Sequence, residues 1–326
     1  MLFKEHLGRL AVRAAAGLAS VVALASCGGG TYQVHAFVPA RIIVFGDESN
    51  SLQTSQGLKY SINGLSTATD QIDCTVNPLW TQVLASSYAI SFPNCNSQEV
   101  ASPQGIDNST LNATVSDVAN QVAAFQAGDS FNSDDLVTVW VGVHDVLNEY
   151  QTNGSSDDVD SLVGAVRGDA QTLAGVINGI VATGAKVLVL TIPDMSDSPF
   201  AYTENQRGDF DRGTLLSQMS QGFNNALRST IINDGSKIGL VLVDDIVTGA
   251  VRNPGGSGLI ASPNVTYGCI DLAPLPTCND DTLKTDPGKN SDAPTIWLWA
   301  DATHLGPYAH QQIGNQAQAR AHSNPF

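Results

Sequence analysis

Short apolar segments that alternate with longer segments of helical periodicity constrain the fold of this 326-residue chain more than any other feature. Within the apolar segments polar residues are few, which is typical of strands buried on both faces of a parallel sheet. We predict strands over 41–45, 89–92, 136–143, 186–192 and 238–243, and helices near 80–87, 115–127, 162–181 and 215–232. This alternation indicates a single α/β domain with helices on both faces of a parallel sheet.

The first residues have the composition of an export signal. Lys4, Arg9 and Arg13 precede an apolar run over 14–25, which is shorter than the roughly 20 residues needed to cross a bilayer. The run ends in Leu-Ala-Ser-Cys, which resembles the lipobox of bacterial lipoproteins and implies that Cys27 is diacylated. The alternative is a plain signal peptide that happens to contain a cysteine.

This reading divides the chain into a signal peptide and lipobox over 1–27, a Gly-rich tether over 28–40 and a single domain over 41–326. Residue 28 is glycine rather than aspartate, which among Gram-negative lipoproteins indicates the outer membrane. We therefore expect a cell-envelope protein that is anchored to the membrane through Cys27, on the periplasmic or the surface face.

The charge balance excludes some partners. The chain has 31 acidic and 15 basic residues, with a net charge of -16. Binding to a phosphate backbone or to anionic lipid requires clustered Lys and Arg. We therefore expect no nucleic-acid partner, and we expect membrane attachment only through the lipid anchor.

Four cysteines follow the lipobox, namely Cys74, Cys95, Cys269 and Cys278. An even number of cysteines in an exported chain indicates disulfides, and three pairings are possible. The local pairing, Cys74 with Cys95 and Cys269 with Cys278, is favoured because each pair lies in a polar, turn-rich segment. A zinc site is the competing interpretation, but no Cys-x-x-Cys is present and no histidines cluster with these cysteines.

The strongest signal for chemistry is the pair Asp301 and His304 near the end of the chain. This spacing lets the carboxylate accept a hydrogen bond from one imidazole nitrogen, so the other nitrogen is free to act as a base. The alternative is a helix start at which Asp301 is the cap and His304 has no chemical role.

Further blocks lie at strand ends. Phe-Gly-Asp ending at Asp47 follows the first strand, and Gly142-Val143-His144-Asp145 follows the third apolar run. The order of these blocks resembles the SGNH/GDSL hydrolases, a family of lipases and esterases. That family has Phe-Gly-Asp-Ser after its first strand, Gly-x-Asn-Asp after its third and Asp-x-x-His near its end. The resemblance implies a three-layer α/β/α sandwich with a five-stranded, flavodoxin-like parallel sheet and an ester or lipid substrate. No cofactor and no metal are predicted.

In that family a serine attacks the ester carbonyl, a histidine takes its proton and an aspartate orients the histidine. The Ser N–H, a glycine N–H from a second block and the Asn side chain hold the oxyanion. Carried onto this chain, the base is His304 and its orienting group is Asp301, while Asp47, Gly142 and Asp145 support the site. The second-block glycine has no clear counterpart, although Gly105 and Asn112 both precede the helix predicted from Val115.

Two positions depart from the family pattern. Glu48 stands where the serine nucleophile belongs, with Ser49 directly after it, and His144 stands where the oxyanion-binding Asn belongs. A carboxylate is a weak nucleophile for acyl transfer, so Glu48 does not replace serine. Neutral imidazole keeps one N–H donor, so His144 can still replace the Asn amide. A Glu48–His304 ion pair would raise the pKa of the imidazole and weaken it as a base.

Three functional hypotheses follow. In the first, Ser49 is a displaced nucleophile that works with Asp301 and His304 in ester hydrolysis. In the second, acyl chemistry is lost and the chain is a binding or scaffolding lipoprotein, that is, a pseudoenzyme. In the third, Glu48 and a histidine form an acid/base pair that acts on another substrate.

Overall fold

Five parallel strands form the central sheet. The computed structural model describes residues 36–53, 57–154 and 158–322. The strands of the sheet are β1 (Arg41–Gly46), β4 (Gly105–Asp107), β5 (Asp135–Trp140), β6 (Lys186–Leu190) and β7 (Ile238–Val241), and a short antiparallel pair is β2 (Leu52–Gln53) and β3 (Leu58–Lys59). Across the sheet the order is β4-β1-β5-β6-β7, and every neighbouring pair is parallel. The strand order therefore reverses at β1 and β5, as in flavodoxin-like folds.

Helices cover both faces of this sheet. They are α1 (Trp80–Ser86), α2 (Val115–Gly128), α3 (Val143–Asn153), α4 (Val159–Ala182), α5 (Pro199–Asn205), α6 (Arg212–Thr230), α7 (Val243–Arg252) and α8 (Pro307–Ala321). Contacts join α2, α3, α4, α5 and α6 into one layer and α1, α7 and α8 into another. Because both faces are covered, the four central residues of β1, from Ile42 to Phe45, are fully buried.

The predicted fold class is confirmed, and so are four of the five predicted strands. The strand predicted over 89–92 is wrong. Ala89 has φ 55°, and Ile90 N donates to Ala85 O, so this segment closes the end of α1. The fifth strand is β4, whose three residues are too few to show a periodicity. Helix α8 was also missed, because many of its buried residues are small and carry little apolar signal.

Two disulfides join the predicted cysteine pairs. Cys74 is bonded to Cys95, and Cys269 is bonded to Cys278. The second bond lies within the long loop after α7, where both cysteines are buried in an apolar cluster with Ile62 and Trp297. The local pairing is therefore confirmed.

The predicted signal segment, with Cys27, lies outside the described residues, as does most of the tether. Over 36–53, 57–154 and 158–322, none of the helices is both long and apolar enough to cross a bilayer.

Candidate active site

The site begins where β1 reaches the carboxyl edge of the sheet. Gly46 has φ 146°, and a Cβ atom there would lie 2.0 Å from the carbonyl oxygen of Trp140, so the position requires glycine. Asp47 follows and caps a single 3-10 turn, Glu48–Asn50, through a 2.9 Å hydrogen bond that its Oδ1 accepts from Ser49 N. This turn buries Glu48, which is 1% exposed.

The Glu48 carboxylate lies between two histidines. Its Oε1 atom is 2.7 Å from Nε2 of His144 and 2.8 Å from Nε2 of His304. These three residues are far apart in the sequence but meet at the carboxyl edge of the parallel sheet. Glu48 and His144 follow β1 and β5, the neighbouring strands between which the strand order reverses, which is where ligands bind in open α/β folds.

The other oxygen of Glu48 is held by the backbone. Oε2 accepts a 2.7 Å hydrogen bond from Asn112 N, in the loop between β4 and α2. Asn112 has φ 56°, a left-handed conformation that asparagine tolerates better than most residues. The sequence placed Asn112 only near the unassigned second block, and its positive φ is a feature that residue pattern alone does not reveal.

Asp301 and His304 form the predicted pair. Nδ1 of His304 lies 2.9 Å from Oδ2 and 3.0 Å from Oδ1 of Asp301, and Oδ1 also accepts from His304 N at 2.7 Å. The carboxylate therefore fixes both the ring and the backbone of the histidine. Because Nδ1 is engaged, Nε2 is the nitrogen directed at Glu48.

Helix α3 places His144 in its first turn. Gly142 precedes the helix with φ 128°, and a Cβ atom there would lie 2.4 Å from the ring of Phe223. Asp145 accepts hydrogen bonds from Val115 N at 3.1 and 3.2 Å. Gly142 thus permits a close helix contact, and Asp145 links α3 to the start of α2.

The cluster is strongly ionised. Burial alone raises the pKa of the Glu48 carboxyl, but hydrogen bonds from His144 and His304 outweigh burial and hold that pKa well below its usual range. Burial lowers the pKa of His304, but its bonds to Asp301 and Glu48 raise it to about 10. The pKa of His144 is also raised, because its bond to Glu48 and the negative charges of Glu48 and Asp47 together outweigh burial. At neutral pH His304 is therefore cationic and a poor base.

Asp47 adds a second carboxyl beside this cluster. Burial, and then the negative charge of Glu48, raise the pKa of Asp47 to about 7. Its Oδ1 atom accepts from the side-chain amide of Asn50 at 3.3 Å as well as from Ser49 N. Asp47 therefore shapes the turn and does not contact His304 within the part of the chain that the structure describes.

A pocket opens beside Ser49, His144 and His304, with Trp140, Pro193 and Thr303 among its lining residues. Among the described residues no hydrogen bond joins the Ser49 hydroxyl to His304, whose Nε2 is bonded to Glu48 instead. The structure thus brings Glu48, His144, Asp301 and His304 together and places Ser49 on the wall of the same pocket.

Glu48, His144 and His304 also have the donor types of a metal site. Their ligand atoms lie within 4.8 Å of one another, and no other group of three or more His, Cys or acidic residues in the described ranges meets that condition. The sequence did not predict this set, because its three members are 96 and 160 residues apart.

Lys59 was also missed by the sequence analysis. Its side chain is fully buried, and Nζ donates to the carbonyl oxygens of Cys74, Val76 and Asn77. Burial lowers its pKa to about 8. The ammonium group therefore holds together the loop that precedes α1. Next to it in the chain, the ring of Tyr60 lies 5.8 Å from that of His304.

The comparison that decides the family covers most of the chain. The sequence profile of the GDSL-like lipase/acylhydrolase family matches residues 42–317. The chain belongs to this family. Its five-stranded parallel sheet with helices is accordingly the SGNH/GDSL hydrolase fold, and membership of this family supports ester hydrolysis.

Individual relatives of this GDSL-family chain are distant. It is 26% identical over 152 residues to a phosphatidylcholine-sterol acyltransferase of Aeromonas hydrophila, a match that covers 45% of this chain and 41% of the relative. The matched part is thus less than half of that relative's length.

Two solved structures resemble the GDSL-family chain in overall path. The lipase Lip_vut3 from a goat rumen metagenome has a TM-score of 0.48 and 10% identity, over 87% of this chain and 98% of that one. A catalytic mutant of Axe2, an acetylxylan esterase from Geobacillus stearothermophilus, has a TM-score of 0.44 and 10% identity, over 88% and 96% of the two chains.

Proposed function

We propose that the protein hydrolyses carboxylic esters in the pocket beside His144 and His304, releasing a carboxylic acid and an alcohol. The observation that carries this proposal is the Asp301–His304 pair, whose Nε2 atom is directed at residue 48 directly after β1. Membership of the GDSL-like lipase/acylhydrolase family supports the same reaction class.

The attacking group in this proposal is water. Residue 48 is a carboxylate, which attacks an ester only weakly and yields an anhydride. The Ser49 hydroxyl makes no hydrogen bond to His304 in the described chain, so its activation as a nucleophile requires the turn to move. We place the attacking water in the pocket that His144 and His304 line, next to Glu48.

In this arrangement Asp301 orients His304, and the cationic imidazole of His304 and the Nε2 side of His144 face the developing negative charge of the carbonyl oxygen. Glu48 accepts a proton from the water as the water oxygen bonds to the carbonyl carbon, and His304 donates a proton to the alcohol oxygen as the ester C–O bond breaks. Transfer of the proton from Glu48 to His304 then restores the site. The lowered pKa of Glu48 makes it a weak base, so we expect the ion-paired site to turn over slowly.

A binding or scaffolding role without catalysis is the second candidate, and one observation favours it. The Glu48 carboxylate already accepts from His144 Nε2 and Asn112 N. His144 stands at the family's oxyanion-binding Asn, and Asn112 lies in the loop of the second block. The internal carboxylate therefore occupies donors that an ester oxyanion would need.

Hydrolysis of short p-nitrophenyl esters separates the two functions. We expect turnover that falls at least about 100-fold in His304→Ala, since a positioned acid/base group contributes that much. His322→Ala is the control, because His322 is exposed and its ring contacts Ser87 and Tyr88 rather than the site. Turnover at the uncatalysed rate in wild type, with the fold intact by circular dichroism, would support the binding role instead.

We also propose that the protein is a lipoprotein of the cell envelope, anchored through Cys27 and carried to the outer membrane. The lipobox-like Leu-Ala-Ser-Cys and the glycine at position 28 support this localisation. Ester-type small molecules or lipids of the envelope would then be the available substrates.

A further inference from the structure

We infer that Glu48, His144 and His304 form a binding site for one divalent transition-metal ion of the Zn²⁺ type. The ligand atoms are Oε1 of Glu48 and Nε2 of each histidine. Two imidazole nitrogens and one carboxylate oxygen are the protein ligands of the His₂Glu class of catalytic zinc sites, which leave a fourth position open. The inference concerns binding and does not rest on ester hydrolysis.

The distances fit this class after a small adjustment. Zinc at about 2.0–2.1 Å from each ligand in a tetrahedral site separates neighbouring ligand atoms by roughly 3.3 Å. Oε1 of Glu48 is now 2.7 and 2.8 Å from the two imidazole nitrogens. These two pairs therefore need to open by about 0.5 Å, and the two imidazole nitrogens, which lie within 4.8 Å of one another, need to take up the same separation. Side-chain torsions of the three residues can supply such shifts.

The surroundings hold the three ligands in place. Asp301 accepts from Nδ1 of His304 at 2.9 Å, which is the carboxylate–histidine–metal arrangement found around zinc ligands. Asn112 N holds Oε2 of Glu48 at 2.7 Å, so Oε1 is the free oxygen presented to the histidines. Gly142 allows the tight start of α3 that carries His144.

The two departures from the family pattern point to the same conclusion. Where the family has a serine, this chain has Glu48, and where it has an oxyanion-binding Asn, this chain has His144. Both replacements introduce residue types that bind metals. Glu48 contacts His304, and His144 contacts Glu48. The change at position 48 alone would only remove the nucleophile, but together with His144 it completes a three-ligand set around the retained histidine.

The donor set selects the class of ion. Calcium and magnesium prefer oxygen ligands, whereas imidazole nitrogen suits zinc and its neighbours in the first transition row. Two of the three ligand residues, His144 and His304, line the pocket beside Ser49 and Thr303. A water molecule at the open position would be acidified by the ion and would be available to attack an ester carbonyl there.

The test uses the full chain, freed of metal with a chelator and titrated with Zn²⁺ by calorimetry. We expect one Zn²⁺ per chain, and we expect the dissociation constant to rise at least 100-fold in Glu48→Ala and in His144→Ala. Asp301→Asn changes the hydrogen-bond partner of His304 but none of the three metal ligands, and it should weaken binding about 10–100-fold. His322→Ala is the matched control, because it removes an exposed histidine and should leave binding unchanged.

A spectroscopic measurement on the unsubstituted chain covers the case in which a variant does not fold. Co²⁺ bound in place of Zn²⁺ should give the intense visible bands of a tetrahedral nitrogen and oxygen site, and X-ray absorption should show two imidazoles per ion. Zinc binding that is absent, or that is unchanged in folded Glu48→Ala and His144→Ala, would overturn the inference. Because these measurements need no substrate, they test metal binding even if the protein does not hydrolyse esters.

Discussion

Nε2 of His304 lies 2.8 Å from Oε1 of Glu48, at the position where a GDSL hydrolase has its serine. The histidine that would activate a nucleophile is instead the partner of a buried carboxylate. Breaking such a pair by removing one member leaves the other charge buried and uncompensated. The predictions below follow from this contact and from the groups around it.

Replacing Glu48 should lower the pKa values of both site histidines. In Glu48→Gln the anion is lost, so the pKa values of His304 and His144 should both fall, while Asp301 stays bonded to His304. NMR titration of the imidazole signals measures the change, and in wild type His304 should remain protonated at pH 8. Unchanged pKa values of His144 and His304 would contradict the ion-pair description.

Removal of the Ser49 hydroxyl should have little effect on ester turnover. Ser49 lines the pocket, but His304 Nε2 is bonded to Glu48, so we expect Ser49→Ala to keep activity within about 3-fold of wild type. The steady-state rate on p-nitrophenyl acetate is the measurement. A loss as large as that of His304→Ala would instead assign Ser49 as the nucleophile, as the displaced-nucleophile hypothesis requires.

Restoring the family residues should produce a serine hydrolase. In the double variant Glu48→Ser and His144→Asn, the new hydroxyl replaces the carboxylate partner of His304, and the ion pair that raises the histidine pKa is removed. We expect ester turnover at least about 100-fold above that of wild type, the scale of general-base catalysis.

A covalent serine-directed phosphonate should label the double variant and not the wild-type protein. Adding His304→Ala to the double variant is the control, and it should abolish the gain. A folded double variant without any gain would show that the pocket does not admit an ester in the family's geometry.

Stability should fall in acid because of His310. This residue is 1% exposed, and burial lowers its pKa to about 3. The unfolded chain, with a pKa near 6.5, therefore binds more protons than the folded chain between about pH 3 and 6.5. Stability from this group is present above pH 6.5 and is lost as the pH falls.

The expected size follows from linkage. Between pH 7 and pH 4.5 His310 should cost about 3 kcal/mol of unfolding free energy, and this loss should be absent in His310→Leu. Urea unfolding of both proteins at the two pH values isolates the effect, because carboxylates and His304 contribute to both. Parallel pH profiles for the two proteins would contradict the assignment.

The proposed lipid anchor makes a prediction that is independent of the fold. Cys27→Ser should move the protein from the membrane fraction to the soluble fraction and abolish incorporation of a radiolabelled fatty acid. Cys74→Ser together with Cys95→Ser is the control, because it removes two cysteines that form a disulfide in the folded domain without touching position 27. Membrane association that persists in Cys27→Ser would exclude this anchor.

Short sequence patterns were sufficient to predict much of the fold and part of the candidate site. The apolar segments predicted a parallel α/β sheet, and the order of the blocks after the first and third apolar runs and near the end pointed to the family. The Asp301–His304 contact follows from a three-residue spacing. These features depend on neighbouring residues, so periodicity and short motifs record them.

Only the tertiary structure decided what Glu48 does. Its contacts with His144 and His304 join residues 96 and 256 positions away, and they depend on the register of β1 and β5 and on a capped 3-10 turn. The contact with Asn112 depends on a left-handed backbone conformation in a loop. No local pattern records which side chain such a turn buries. The fold class and the neighbourhood of the site could therefore be predicted from the sequence alone, whereas long-range packing decided that the site is a Glu-His-His cluster.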